Sequence, residues 1–468
     1  MTTARRTPIA ILVLLTLVAA ACSRDEPTAS DGDERPRTAE APTDDEGDGA
    51  ADPTSLDEGG FGDLEGVCRE GDASGATAPG VTDTQIRVGT MTDKGSTAVP
   101  GLNEEMYDTA VAFVTWCNEH GGILGRELVL SDVDVKLLEF EPVVTEACGR
   151  DFALVGGGAV FDEDANDVRV GCGLPSIPGY AVSARARVAD LQVQPVPNPI
   201  YNIAMGRYNA AKAQFPDSID RFAVMASALP SVLLVKQQTI ETAELLGFEL
   251  VYELDYQTQG ETGWANFVRE MQAADVKILD FIGQPQNLVQ LTQEMDLAGW
   301  YPDVILLSAN FYDHLFVEAG GETAGNLFIQ SVFHPLEMAS ENKATQDYLD
   351  LMERYNPGGK VALLGMQGLS AWLLFATAAT ECGSDLTPEC LLEQAAAQAG
   401  WTGGGLHAPQ TPGNAKASPC MLILGVDGKA FTYDEEATAP TEGDGLFNCE
   451  PSNVVDLQGD YGVPRPEA

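Results

Sequence analysis

From residue 80 onward, short aliphatic or β-branched runs alternate with longer amphipathic segments, and this alternation limits the fold more than any other feature of the 468-residue chain. The pattern predicts a strand over Ile86–Met91, a helix over Glu104–His120, a strand over Glu127–Val133, a helix over Pro142–Arg150 and a strand over Ala153–Val155. It resumes with helix Tyr208–Phe215, strand Arg221–Ala226, helix Val232–Leu246, strand Glu249–Leu254, helix Gly263–Ala274, strand Ile278–Ile282, helix Leu288–Gly299 and strand Val304–Ser308. Strands that alternate with helices in this way imply right-handed crossovers and parallel sheets covered on both faces. The Pro-rich stretch from Gln194 to Pro199 interrupts the series and marks a crossing between two units. The expected fold class is therefore α/β, with two doubly wound parallel-sheet lobes.

One segment imitates a membrane span. Val361–Thr380 is twenty residues without a charge, long enough to cross a bilayer. It contains Gly365, Gln367, Gly368 and Ser370, and a charged helical pattern follows soon after, so a buried helix against a sheet is expected.

The N-terminus has a different character. Arg5 and Arg6 precede an apolar run, Ile9–Leu17, and the small residues Val18–Ala21 lead to Cys22. A basic start, a short apolar core and small residues before a cut describe a secretory signal over residues 1–21. Leu17 to Cys22 also resembles the lipobox of bacterial lipoproteins, slightly stretched. In that family the cysteine becomes the new N-terminus and carries lipid, which makes Cys22 the expected lipidation site; the alternative is an ordinary signal with an incidental cysteine. Residues 22–66 form an expected acidic tether, since Ser23–Gly66 carries 15 acidic and 3 basic residues and buries too little apolar surface to offset its ordering entropy. The protein is thus expected outside the cytoplasm, held at the cell membrane by a lipid without being embedded in it.

The net charge of −45 excludes nucleic acid and anionic lipid surfaces as favoured partners. Apart from Cys22 there are eight cysteines, an even number that suits an oxidising compartment. Sequence proximity favours Cys148–Cys172, Cys382–Cys390 and Cys420–Cys449, which leaves Cys68–Cys117, although eight cysteines allow 105 pairings. No C-x-x-C pair occurs and the four histidines lie far apart, so neither a metal nor a cofactor is expected.

Family resemblance rests on Asn118-Glu119-His120-Gly121-Gly122-Ile123-Leu124-Gly125-Arg126, placed after the first helix and ahead of the second strand. Supporting it are Gly80–Gly89, Ala153–Gly158 and Gly173–Pro178. Together these resemble the branched-chain amino-acid-binding family of type I periplasmic binding proteins over about residues 80 to 435. The resemblance implies a solute-binding lipoprotein of an ABC importer: a monomer whose lobes, joined by a three-crossing hinge, close on a small solute and pass it to permease subunits in the membrane. Lobe 1 would comprise 80–200 and 332–405, lobe 2 would comprise 201–331 and 406–450, and 451–468 would be a C-terminal tail. The crossings would lie near Pro195–Ile203, near Gln330–Pro335 and between Gly405 and Cys420.

In open parallel sheets ligands sit beyond the carboxyl ends of the strands, where helix N-termini offer free amides. Loops in that position nominate Ser96, Phe161, Tyr180, Gln284, Asn310 and Tyr312 as ligand-binding residues. Members that bind amino acids usually carry a Ser or Thr pair where this chain has Ala159, Val160 and Phe161, and an acidic residue where it has Ala309, Asn310 and Phe311. A desolvated zwitterion would lack charge-assisted bonds there, so a neutral or aromatic-compatible solute such as an amide, a urea-like compound or an aromatic acid is expected. Asp162-Glu163-Asp164 is expected to be solvated charge. The common hydrolase, metalloprotease and P-loop motifs do not occur, so no enzyme is expected. Two other functions stay open: a ligand-sensing receptor lipoprotein and, less favoured, a secreted α/β hydrolase.

Overall fold

In the computed structural model, residues 55–258, 260–320, 326–414, 416–441 and 445–465 are described. The signal, Cys22 and most of the tether lie outside them.

The first sheet is built by β1 (Gln85–Thr92), β2 (Glu127–Asp134), β3 (Ala153–Val155) and β4 (Ser176–Ile177), all parallel in the order β2-β1-β3-β4. Each is followed by a helix: α1 (Glu104–Glu119), α2 (Phe140–Arg150), α3 (Asp162–Cys172) and α4 (Ala184–Arg187). The double glycine closes α1 as its left-handed φ values require: Gly121 has φ 96° and Gly122 has φ 68°. A Cβ on Gly122 would lie 2.1 Å from the Arg126 carbonyl oxygen.

After the crossing, β5 (Asn202–Ala204) and α5 (Gly206–Gln214) open the second lobe. There β6 (Phe222–Ser227), α6 (Pro230–Leu246), β7 (Leu250–Tyr256), α7 (Trp264–Ala273), β8 (Ile278–Ile282), α8 (Pro285–Ala298), β9 (Val304–Leu307), α9 (His314–Glu318) and β10 (Leu327–Ser331) follow in turn. The chain returns to the first lobe for α10 (Lys343–Tyr355), α11 (Leu363–Cys382) and α12 (Pro388–Ala396). It then re-enters the second for β11 (Leu422–Asp427), β12 (Ala430–Tyr433) and α13 (Glu435–Thr438). The second sheet has the order β12-β11-β10-β9-β8-β6-β7, parallel except for β11 and β12, which add to its edge antiparallel as a hairpin. A hairpin needs no crossover helix, which is why the βα alternation stops before it.

The charge-free segment is α11, a core helix. It packs on α1, β3 and β4, with Leu369, Trp372, Leu373 and Phe375 fully buried. Trp372 and Phe113 bring their rings to 5.3 Å. Burying each such side chain contributes about 1.5–3 kcal/mol.

Three expectations change. The tether ends earlier than Gly66: Leu56 and Phe61 are 0% exposed, Trp116 donates its indole N–H to the Leu56 carbonyl at 2.9 Å, and the Gly62 amide donates to Asp347 at 2.9 Å. Two aromatic or aliphatic side chains thus anchor an otherwise polar stretch. The C-terminal segment is not an appendage either, because β13 (Val454–Asp456) pairs antiparallel with β5 and Leu457 is buried. Asp162 is buried rather than solvated, and accepts the amides of Val182 (2.6 Å) and Ser183 (3.0 Å). Its helix α3 and strand β4 escaped the periodicity because α3 is strongly polar and β4 has only two residues. The cysteines pair as Cys68–Cys117, Cys148–Cys172, Cys382–Cys390 and Cys420–Cys449, the proximity pairing.

Three segments cross between the lobes, and two of them run side by side. His334 N–H donates to the Leu406 carbonyl at 2.9 Å, Ala408 N–H donates to the Val332 carbonyl at 2.8 Å, and Phe333 bridges antiparallel to His407. The buried His407 ring lies with Nδ1 2.9 Å from the Ala408 carbonyl and Nε2 2.8 Å from Ser370 Oγ. A carbonyl only accepts, so Nδ1 carries the proton and Nε2 accepts from the Ser370 hydroxyl, which itself accepts from the Trp401 indole at 3.0 Å. Burial pushes His407 down to about 4. Because the unfolded imidazole takes up its proton first, this contribution is present above pH 6.5 and is lost as pH falls toward 4. Between pH 7 and 5 the wild type should therefore lose roughly 2 kcal/mol more unfolding free energy than His407→Gln. Urea titrations at the two pH values check this, and equal losses would contradict it.

Candidate functional site

Parallel winding puts every strand-to-helix loop of a lobe at one end of its sheet. In the first lobe these are residues 93–103 after β1, 135–139 after β2, 156–161 after β3 and 178–183 after β4. In the second they are 228–229, 257–258 with 260–263, 283–284 and 308–313, after β6, β7, β8 and β9. The two sets meet where α11 of the first lobe packs on residues 309–311 of the second.

In the first lobe, buried carboxylates hold the loops together. Asp93, directly after β1, accepts Leu137 N–H at 2.7 Å with Oδ1 and Val160 N–H at 2.8 Å with Oδ2, joining three loops at one side chain. Asp162 performs the same task for the β4 loop. Desolvation raises the pKa of both groups, against the lowering effect of these amides.

Of the six nominated residues, Ser96 is buried and its Oγ accepts the amides of Ala98 (3.2 Å) and Val99 (3.3 Å), so it shapes the β1 loop. Tyr180 is half-buried with its hydroxyl 2.6 Å from the Asn103 side-chain amide, and a Cβ on Gly158 would fall 2.6 Å from its ring. Burial, followed by the fields of Asp93, Asp162 and Glu105, raises the Tyr180 phenol well above its ordinary value. Phe161 packs on the apolar cluster around Val133, Phe140 and Val144. In the second lobe Gln284 occupies the N-cap position of α8, and Asn310 lies beside it. The Asn310 amide donates to the Gly283 carbonyl at 3.0 Å and its Oδ1 accepts from Ser308 at 2.6 Å. Tyr312 is 2% exposed: its hydroxyl donates to Glu337 and accepts Leu336 N–H, and its ring stands edge-on to Phe431 at 4.7 Å. It ties β9 to the segment that leads to α10. The structure thus joins Gln284 with Asn310 and Tyr180 with Asn103, and puts Phe161 and Tyr312 into packing.

Asp93, Asn103, Glu105, Asp313 and Lys360 were missed by sequence reasoning. The acidic residue sought at 309–311 comes two positions later, at Asp313, where Lys360 Nζ lies 2.9 Å from its Oδ2. Lys360 is also 3.3 Å from Glu105 Oε2. Burial lowers the Lys360 pKa, but Glu105 and Asp313 outweigh it and hold the ammonium above its ordinary value. An acidic residue just past a strand end was the available signal for Asp93; nothing local in the sequence singles out Lys360.

Of two cavities among the described residues, each belongs to a single lobe. One of about 20 Å³, lined by Tyr180, Asp162, Arg169 and Gln192 among others, has room for a single water and not for a solute. The other, of about 810 Å³, is a surface groove on the flank of the second lobe lined by Lys236, Glu241, Glu253 and Gln458 among others. Among the described residues no group of three His, Cys, Asp or Glu side chains is arranged to hold a metal.

Removing the Asp93 carboxylate would orphan two buried amides, so Asp93→Ala should cost about 2–4 kcal/mol in urea unfolding, with part recovered in Asp93→Asn through its single remaining oxygen. An Asp93→Ala protein as stable as wild type would refute the stapling role.

Residues 201–430 match the family described as periplasmic binding protein. No curated relative matches the chain. Among solved structures, the fatty acid ABC transporter substrate-binding protein from Thermomonospora curvata is similar at 17% identity, covering 80% of this chain and 97% of that one with a TM-score of 0.66. The leucine-binding protein from Thermotoga maritima is similar at 14% identity, covering 75% and 97% with a TM-score of 0.62. The branched-chain amino acid transporter substrate-binding protein from Streptococcus pneumoniae, in complex with isoleucine, is similar at 16% identity, covering 75% and 99% with a TM-score of 0.61. At these identities the structures establish the fold, the two-lobed α/β architecture of type I periplasmic binding proteins, and within it residues 201–430 match the periplasmic binding protein family.

Proposed function

We propose that the protein is the solute-binding component of an ABC importer, working outside the cytoplasm and tethered to the membrane by a lipid on Cys22. It captures a small polar or aromatic solute between its lobes and hands it to permease subunits, with no chemistry on the cargo. The observation that carries this is the contact between the lobes at their strand-end loops, where α11 packs on residues 309–311 and Lys360 Nζ of the first lobe lies 2.9 Å from Asp313 of the second. A solute enclosed there shifts the open and closed forms by its preference for the closed one. The structural neighbours are named for fatty acid and branched-chain amino acid binding, which agrees with transport but not on one cargo.

The cargo class follows from the polar groups. Tyr180 accepts from Asn103 and keeps its hydroxyl proton to donate, while Gln284 and the exposed Asn310 supply amide groups from the other lobe. Neither Ala159 nor Ala309 offers a charged or hydroxylic partner. The carboxylate of Asp313 is already paired, so an uncharged amide, a urea-like compound or an aromatic solute loses least on entering.

A thermal-shift screen across amino acids, amides, ureas, polyamines, aromatic acids and fatty acids tests the function. The cargo at a hundred times its Kd should stabilise the protein by about 2.7 kcal/mol. Tyr180→Phe should weaken that cargo about tenfold, the worth of one hydrogen bond. Silence across the whole screen would contradict solute binding. For the anchor, Cys22→Ala should move the protein from the membrane fraction to the soluble fraction; an unchanged distribution would contradict lipidation.

A further inference from the structure

One ion bridge crosses the cleft without belonging to the core of either lobe. Lys360 is bound to the first lobe, since its backbone N–H donates to Asp108 Oδ2 at 2.8 Å and Asn356 donates its side-chain amide to the Asp108 carbonyl at 3.0 Å. These two bonds fix the turn between α10 and α11 on helix α1. Asp313 is held just as firmly in the second lobe: its Oδ1 accepts Leu315 N–H at 2.9 Å and caps α9, which leaves Oδ2 directed at Lys360 Nζ. Behind the ammonium stands Glu105, 3% exposed, with an Oε2 that no hydrogen bond satisfies. The Lys360 and Asp313 side chains are only 21% and 20% exposed, so the pair is screened less than an ordinary surface ion pair.

We propose that Lys360 and Asp313 form an electrostatic latch that holds the two lobes together in the absence of cargo. The Asp313 carboxylate is pre-positioned by its bond from Leu315 N–H, so the freedom lost when they meet is mainly that of the Lys360 side chain. The latch makes the closed form a populated state of the free protein, which lowers the differential affinity that cargo has to supply. It also biases selection, because a charged solute that recruits either partner breaks the bridge, whereas a neutral solute is enclosed with the bridge intact.

The test uses the full chain without any solute and reads the distance between spin labels at Leu138→Cys and Leu297→Cys, exposed positions on the first and second lobes. Lys360→Met and Asp313→Asn should each raise the open-to-closed ratio about tenfold, one charge-assisted hydrogen bond's worth. Asn still caps a helix, so Asp313→Asn leaves α9 intact and carries the test should Lys360→Met fail to fold. The double variant should open no further than either single one, and Lys360→Arg should keep the closed distance. Distance distributions unchanged in Asp313→Asn, or single effects that simply add, would overturn the latch. Because no cargo is present, that failure would leave the solute-binding function standing.

Discussion

Parallel winding is the constraint on which everything else in this molecule depends. A parallel strand pair needs a crossover, and right-handed crossovers put all the strand-to-helix loops at one end of each sheet. Two such sheets joined by three segments have one natural meeting place for those loops. Helix N-termini with unused amides gather there, and the rest of each lobe is scaffold. The antiparallel hairpin of β11 and β12 extends the second sheet at the edge away from β7 and leaves this geometry intact.

The loops at that end are held by carboxylates more than by apolar contact. Asp93 and Asp162 are buried, yet each is satisfied by two backbone amides, which is what makes a buried carboxylate tolerable. In the second lobe Asn310 is tied to Gly283, and Tyr312 joins the end of β9 to Leu336 on the segment that leads to α10. The polar residues nearest the cleft therefore divide their work: some fix backbone, and few keep hydrogen-bonding capacity for a solute. In the hinge the neutral His407, held between Ser370 and Ala408, plays a similar fixing role.

Fold and site were unequally legible in the sequence. The strands and helices expected between Ile86 and Ser308 follow from periodicity to within a few residues, because buried parallel strands such as Ile278–Ile282 and Val304–Leu307 are nearly unbroken apolar runs, whereas β10, α10 and the β11–β12 hairpin were not foreseen. Short or polar elements, α3 and β4, left no periodic trace. Leu56, Phe61 and Leu457 lie in segments whose composition looks like linker, and their burial depends on partners far along the chain, such as Trp116 and Tyr201. The site was legible as loops and not as side chains. Topology puts Tyr180, Gln284 and Asn310 on strand-end loops, but it cannot distinguish an outward-facing side chain from one that packs inward, as Phe161 and Tyr312 do. Lys360 escaped because its role exists only once two lobes meet.

Hydrogen exchange at single-amide resolution, with and without bound cargo, tests the account most directly, since it reports both rims at once. Enclosure between the lobes predicts added protection in residues 93–103 and 178–183 together with 283–284 and 308–313, and little change in the flank groove around Lys236 and Gln458. Protection confined to one lobe, or centred on that groove, would contradict a cleft that works by closing.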